Sequence, residues 1–307
     1  DSGGVQGAGA GGALNYTLRS ARGVAGCISP WNLPLYLFTW KIAPALATGN
    51  TVVGKPSEVT PATAHLLAEL SVEAGLGAGV LNIVHGTGSI TGEAIVKHPS
   101  IKAVSFTGST KAGERIASLA APMFKKLSLE LGGKNPTIIF DDCNWDKMMQ
   151  TTIQSSFSNQ GQICLCGSRI LVMDTIYEKF KSEFVEKVAA LTVGDPLKEN
   201  SKQGAIVSKM HFDKIMRGID TAKQEGGKIL VGGNSVVGKR RCEGGYFIQP
   251  TVIEGLGPDC ETNKTEIFGP VVTITPFDTE EEVLQYANST IYGLAATVWT
   301  EHINRAN

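Results

Sequence analysis

The chain has 307 residues, 42% of them hydrophobic and 19% charged, with a formal net charge of −1. That length and composition fit about two domains of an ordinary soluble protein. The near-zero charge excludes the electrostatic footprint of a nucleic-acid binder or of a protein drawn to anionic membranes, and the longest apolar runs, such as 33–37, are far too short to span a bilayer.

The first dozen residues are rich in Gly and Ala and predict a flexible start. Residues 13–20 alternate in polarity and predict an isolated strand. A regular rhythm begins at Gly23. Strands over 23–29, 51–55, 80–84, 103–106 and 126–130 alternate with helices over 34–48, 60–74, 89–97 and 109–119. Pro34 suits the first turn of its helix, and Pro44 is expected to kink it. Thr60 is expected to cap the helix that Pro61 begins. Such alternation predicts βαβ units and a mostly parallel sheet, a Rossmann-type α/β domain. Ligands of such sheets bind beyond the carboxyl ends of the strands. Asn32, Lys55, Glu58 and the Gly108-Ser109 turn all follow predicted strands. A second α/β series starts near Asn135. Its strands are expected over 137–140, 169–173, 271–277 and 294–299, and its helices over 145–158, 176–191, 211–224 and 280–287. Phe180, Phe184 and Val188 share one face of the 176–191 helix. A boundary at Gly132-Gly133 gives a start over 1–22, a first domain over 23–132 and a second over 133–307, with Glu130 at the hinge and Cys164 in the second domain.

Six cysteines are scattered at 27, 143, 164, 166, 242 and 260. In a chain this long they do not read as a disulfide framework. Cys164 and Cys166 form a C-x-C pair with no second cluster and no nearby His, which argues against a zinc site. Three N-x-S/T sequons, at Asn15, Asn263 and Asn288, carry little weight without secretion. No secretory signal is visible, and a reducing, cytoplasmic compartment is expected.

Several residues could carry chemistry. Cys164, in Asn159-Gln160-Gly161-Gln162-Ile163-Cys164, is framed like a presented nucleophile, although packing alone also accounts for a cysteine. Glu130, ahead of Gly132-Gly133, reads either as a general base or as a strand-end glutamate in an ion pair. Phe106-Thr107-Gly108-Ser109 is a strand, a Gly turn and a helix start. It suits a phosphate, but it is not the G-x-G-x-x-G fingerprint, and a tight turn without a ligand explains it equally. Lys55 and Glu58 could hold two ribose hydroxyls, with Glu58 repelling a 2′-phosphate, or could be a solvated loop. Asn32, between Pro30 and Pro34, is rigid enough for an oxyanion donor, and Asn is also common in helix-start turns.

In order along one chain, Pro-Trp-Asn, Lys-Pro-Ser-Glu, Phe-Thr-Gly-Ser, Glu-Leu-Gly-Gly-Lys, Asn-x-Gly-Gln-x-Cys and Glu266-Ile267-Phe268-Gly269-Pro270 resemble the aldehyde dehydrogenase superfamily from about residue 13 onward. Gly161 to Cys166 and Trp31 to Leu35 are most similar to its 2-aminomuconic semialdehyde dehydrogenase branch. The resemblance implies an NAD-dependent oxidation of an aldehyde to its acid through a cysteine thiohemiacetal and thioester. It implies Cys164 as nucleophile, the Asn32 side chain with the Cys164 N–H as oxyanion hole, and Glu130 as the base that activates water. It implies Lys55 and Glu58 at the adenosine ribose and Gly108 and Ser109 at the pyrophosphate. Glu266 falls at the nicotinamide ribose and Phe268 near the nicotinamide. Trp31 and Lys41 complete the cofactor site, with Lys41 also on a proton path. It further implies a homodimer or homotetramer. Family chains are longer at both ends, so 1–307 is expected to be a piece that lacks parts of the cofactor domain and substrate pocket and is inactive alone. Thr265 departs from the acidic residue often found before Glu266. Two other readings stay open: a CoA-acylating semialdehyde dehydrogenase, which Glu130 disfavours, and a non-catalytic homologue, which the joint presence of Cys164, Glu130 and Asn32 disfavours.

Overall fold

The computed structural model describes residues 16–306, and the chain divides between Glu130 and Leu131 into two compact units. The division falls just short of the Gly132-Gly133 boundary expected above. Of the strand expected over 13–20, residues 13–15 lie outside the described residues, and 16–20 form no regular element.

The first unit runs β1 (Val24–Ile28), α1 (Pro34–Ala47), β2 (Thr51–Lys55), α2 (Ala62–Glu73), β3 (Leu81–Ile83), α3 (Glu93–Lys97), β4 (Ile101–Thr107), α4 (Thr110–Ala120) and β5 (Lys126–Glu130). Its five strands pair in parallel in the order β3-β2-β1-β4-β5. The order reverses direction at β1/β4, the switch point where such sheets open a crevice. Strand β1 is apolar throughout because helices cover both faces of a parallel sheet. Glycines allow that cover to sit close. A Cβ on Gly54 of β2 would lie 2.6 Å from the Phe38 ring of α1, and one on Gly26 of β1 would lie 2.6 Å from Ile95 of α3. Cys27, Phe38, Ile42, Val52 and Ala64 form the core between them.

Two expectations for this unit are corrected. Thr60 does not cap α2; its hydroxyl donates instead to the Trp31 carbonyl at 3.4 Å. The helix expected over 89–97 is split into a π-turn, Gly88–Gly92, and α3. The Thr87 carbonyl accepts from both Thr91 and Gly92 amides, and this widens the first turn.

The second unit runs β6 (Asn135–Ile139), α5 (Trp145–Phe157), β7 (Gly167–Met173), α6 (Asp174–Ala189), α7 (Lys209–Gln224), β8 (Lys228–Val231), β9 (Ser235–Val236), β10 (Phe247–Ile248), β11 (Thr251–Glu254), α8 (Glu261–Lys264), β12 (Val271–Phe277), α9 (Glu280–Ala287), β13 (Thr297–Trp299) and α10 (Ile303–Ala306). Six strands form one sheet, ordered β13-β6-β7-β12-β11-β8, parallel except for β8 against β11. Strands β9 and β10 pair as a separate antiparallel ribbon. Strands β8 to β11 escape the sequence reading because they are short and broken by Gly and Pro. The predicted apolar face of α6 is the core: Phe180, Phe184 and Val188 are buried against Ile139, Met148, Ile170 and Val252. The Phe180 and Phe184 rings stack 5.0 Å apart.

Among the described residues no helix is long and apolar enough to cross a membrane, and none of the six cysteines is in a disulfide. Asn263 is buried, donating to the Gly257 carbonyl at 2.9 Å and accepting from Thr273 at 2.7 Å, so this sequon is structural.

Phe180→Ala should destabilise the second unit by about 3–5 kcal/mol in urea unfolding, the range for an emptied aromatic core position; a loss below about 1 kcal/mol would remove α6 from the core.

Candidate active site

In the first unit, the residues after the strands lie along one edge. Glu130 ends β5 opposite Thr107 of β4. The Thr107 hydroxyl donates to Glu130 Oε2 at 2.5 Å, and Lys41 Nζ lies 3.6 Å from the same oxygen. Lys41 comes from α1, is buried, and also donates to Ser105 Oγ at 3.4 Å. Burial pulls the Lys41 pKa down and Glu130 opposes it. The Glu130 carboxylate is therefore steered at one oxygen by a hydroxyl and a cation, while its side chain remains about half exposed. The Gly108 amide donates to the Glu130 carbonyl at 3.0 Å, so the turn after β4 is tied to the same strand end.

The Lys55 ammonium, at the end of β2, is buried and has three acceptors: the Pro56 carbonyl at 2.7 Å, the Gly86 carbonyl at 2.9 Å and Glu58 Oε2 at 3.2 Å. Glu58 is exposed. Its partial burial would raise its pKa, but its own amide, Lys55 and the Gly88 amide outweigh this and hold the carboxyl below its ordinary range. Ser109 caps α4 by accepting from the Ala112 amide at 3.3 Å. Between α4 and the Gly88–Gly92 turn lies a groove of about 380 Å³, lined by Ile28, Gly88, Ser89, Ser109, Lys111 and Arg115 among others. Asn32 is buried in the turn between β1 and α1, beside the half-buried Trp31.

In the second unit, Cys164 is carried on a strained loop. Asn159, Gln160 and Gly161 are successively left-handed, with φ of 50°, 57° and 67°. Left-handed non-glycine residues cluster at functional sites because surrounding structure must hold them. The holding contact is at Gly161: a Cβ there would lie 2.1 Å from the Gly269 carbonyl oxygen, so only glycine fits. Buried Gln162 locks the other side, accepting from the Val207 amide at 3.1 Å. Asn135, the first residue of β6, donates to the carbonyls of Cys164 at 2.7 Å and Cys166 at 3.1 Å. Glu266 Oε1 accepts the Gly133 amide at 3.0 Å, and Phe268 is left-handed at φ 62°. Cys164, Cys166, Glu266, Phe268, Gly133 and Lys134 all line one cavity of about 20 Å³.

Four of the thiols are held toward the protonated form. Burial pushes Cys27 and Cys166 up to about 11 and also raises Cys143 and Cys260. Thiols held protonated are inert packing groups. Lys134 is 2% exposed and is pushed down to about 7, chiefly by burial and then by Arg169, against the pull of Glu266.

Sequence reasoning selected Lys41, Glu130 and Gly108, which the first unit joins, and Lys55 with Glu58, which it also joins. It selected Cys164, Glu266 and Phe268, which share the second unit's cavity. It missed Thr107, Lys134, Asn135 and His211. An Asn at the head of an apolar strand, as in Asn135-Pro136-Thr137, was the available signal for a carbonyl clamp.

Residues 3–307 match the sequence profile of the Aldehyde dehydrogenase family. The chain belongs to the aldehyde dehydrogenase family. It is 51% identical over 298 residues to 2-aminomuconic semialdehyde dehydrogenase of Bos taurus, covering 96% of this chain and 61% of that protein. It is 47% identical to 2-aminomuconic 6-semialdehyde dehydrogenase of Pseudomonas sp, with 96% and 60% covered. A crystal structure of betaine aldehyde dehydrogenase from Staphylococcus aureus in complex with NAD+ superimposes with a TM-score of 0.94 at 38% identity, covering 100% of this chain and 61% of that one. The chain thus spans about 61% of the length of the curated relatives it matches. Its two sheets are those of the aldehyde dehydrogenase fold.

Two outcomes follow from this geometry. The folded pKa of Lys134 lies below its unfolded value, so between about 7 and the ordinary lysine value near 10.4 the unfolded chain binds more protons. Stability should rise with pH across that window, and Lys134→Met should flatten the rise in urea unfolding. Asn135→Ala leaves the carbonyls of Cys164 and Cys166 without this donor and should cost roughly 2–4 kcal/mol in thermal unfolding; Asn135→Asp should not restore it, because a carboxylate donates nothing to a carbonyl.

Proposed function

We propose that this chain carries the nucleophile, base and cofactor-facing residues of an NAD-dependent aldehyde dehydrogenase that oxidises an aldehyde to its carboxylic acid. The observation that carries the reading is Cys164, held on a glycine-locked loop and lining one cavity with Glu266 and Phe268. The names of the Bos taurus and Pseudomonas relatives support a muconic semialdehyde as substrate.

NAD fits the residues present. The groove in the first unit combines N-terminal amides of α4 with the Gly88–Gly92 turn, a setting suited to a diphosphate. Glu58, kept ionised and oriented by Lys55, suits a ribose diol and opposes a 2′-phosphate. In the second unit Glu266 and Phe268 are the proposed contacts of the nicotinamide end; in the first, Trp31 and Lys41 are proposed cofactor contacts. When bound, NAD+ supplies a hydride acceptor.

The remaining chemistry belongs to the chain. The Cys164 thiolate adds to the aldehyde carbon and converts a poor hydride donor into a tetrahedral alkoxide, a good one. The Asn32 side chain and the Cys164 N–H stabilise that oxyanion. Loss of hydride leaves a thioester on Cys164. Glu130 then takes a proton from water, and the hydroxide releases the acid. Lys41 and Thr107 hold the Glu130 carboxylate for that step. A cytoplasmic location and a homo-oligomeric assembly are part of the same proposal.

The test is a panel of aldehydes that includes a muconic semialdehyde, run on the full-length protein with NADH formation as the readout; acyl-CoA as the product, or no NADH with any aldehyde, would overturn the reading. In the full-length enzyme Glu130→Gln should give a burst of NADH without steady turnover, and unchanged turnover would remove Glu130 from the mechanism.

A further inference from the structure

One buried imidazole sits beneath the segment that carries Glu266 and Phe268. Helix α7 lies under the 266–269 loop, and its residues engage that loop one after another. His211 Nε2 is 2.7 Å from the Phe268 carbonyl oxygen, and the two rings meet edge to face at 5.9 Å and 67°. One turn on, Ile215 fills the space where a Cβ of Gly269 would stand, at 2.6 Å. A further turn on, Gly218 leaves room for Ile267, whose side chain lies 3.1 Å from where a Cβ of Gly218 would be. The loop is in turn the surface on which Gly161 rests, and Glu266 accepts the Gly133 amide. The left-handed turn at Phe268 is thus the joint between the helix and the Cys164 loop.

We propose that His211 is a positioning residue: by donating Nε2–H to the Phe268 carbonyl it fixes the left-handed backbone that presents Phe268 and Glu266 to the cofactor. The acceptor is a carbonyl, so the proton must be on Nε2. Such a bond offsets part of the cost of a left-handed phenylalanine. Burial supports the neutral form, pushing His211 down to about 4 although the Phe268 carbonyl opposes the shift. The inference rests on the dehydrogenase reading only for what the loop presents; the hydrogen bond and its effect on the backbone stand apart from it.

The test compares His211→Gln, which keeps a donor, with His211→Phe, which keeps an apolar ring and loses the donor. Amide hydrogen exchange over 265–271 needs no cofactor. His211→Phe should accelerate it about tenfold, the consequence of one lost buried hydrogen bond, while His211→Gln should stay within about twofold of the unaltered chain. The NAD+ dissociation constant should follow the same order. Wild-type exchange in His211→Phe, or acceleration in His211→Gln equal to that in His211→Phe, overturns the proposal. Should His211→Phe not fold, His211→Gln still decides: unchanged exchange supports the donor role and acceleration overturns it. Failure of the full-length protein to bind NAD+ would count against the dehydrogenase reading and leave the exchange result to judge His211.

Discussion

Parallel strand pairing sends every strand of the first unit to the same edge. Helices return the chain along the sheet's faces, so whatever follows each strand collects at that edge. Asn32 follows β1, Lys55 and Glu58 end and follow β2, Gly108 and Ser109 follow β4, and Glu130 ends β5. Separated by up to a hundred positions in sequence, these groups become neighbours along one sheet border. The approach requires Gly26 and Gly54, whose missing side chains let α3 and α1 lie against the strands.

The second unit depends on a different constraint, close contact with the peptide backbone. Gly161 meets the Gly269 carbonyl, Glu266 meets Gly132 and the Gly133 amide, and Asn135 holds two carbonyls of the Cys164 turn. Each contact has a peptide group on one side, met by a second peptide group at Gly161 and by the Glu266 and Asn135 side chains at the other two. They keep three successive left-handed residues in place ahead of Cys164. The nucleophile role proposed for Cys164 would gain from such rigidity, because a thiol held in one geometry does not spend interaction energy on ordering itself.

Three buried lysines show how the fold manages charge away from water. Lys55 is met by three oxygen acceptors, so its charge is compensated in place. Lys41 shares Glu130, which compensates the lysine and steers the carboxylate together. Lys134 is driven toward the neutral form instead, by its burial first and then by Arg169, against the pull of Glu266. The first two solutions orient the Glu58 and Glu130 carboxylates.

Much of this was legible in the amino-acid sequence. The alternation of apolar strands with helices specified the parallel first sheet, because period and length are local properties. Strands 126–130 and 271–277 and helix 280–287 match their predicted limits, and the order of the motifs identified the family. The short strands β8 to β11 were not legible, since two to four residues broken by Gly and Pro have no period to detect. The partners were not legible either. Nothing local says that Gly161 must be glycine because a carbonyl from position 269 occupies its Cβ site, or that Thr107 and Lys41 converge on one oxygen of Glu130. The sequence by itself determined which residues could react; tertiary structure decided which of them are held, charged or left protonated, because those properties depend on distance and burial between residues far apart in the chain.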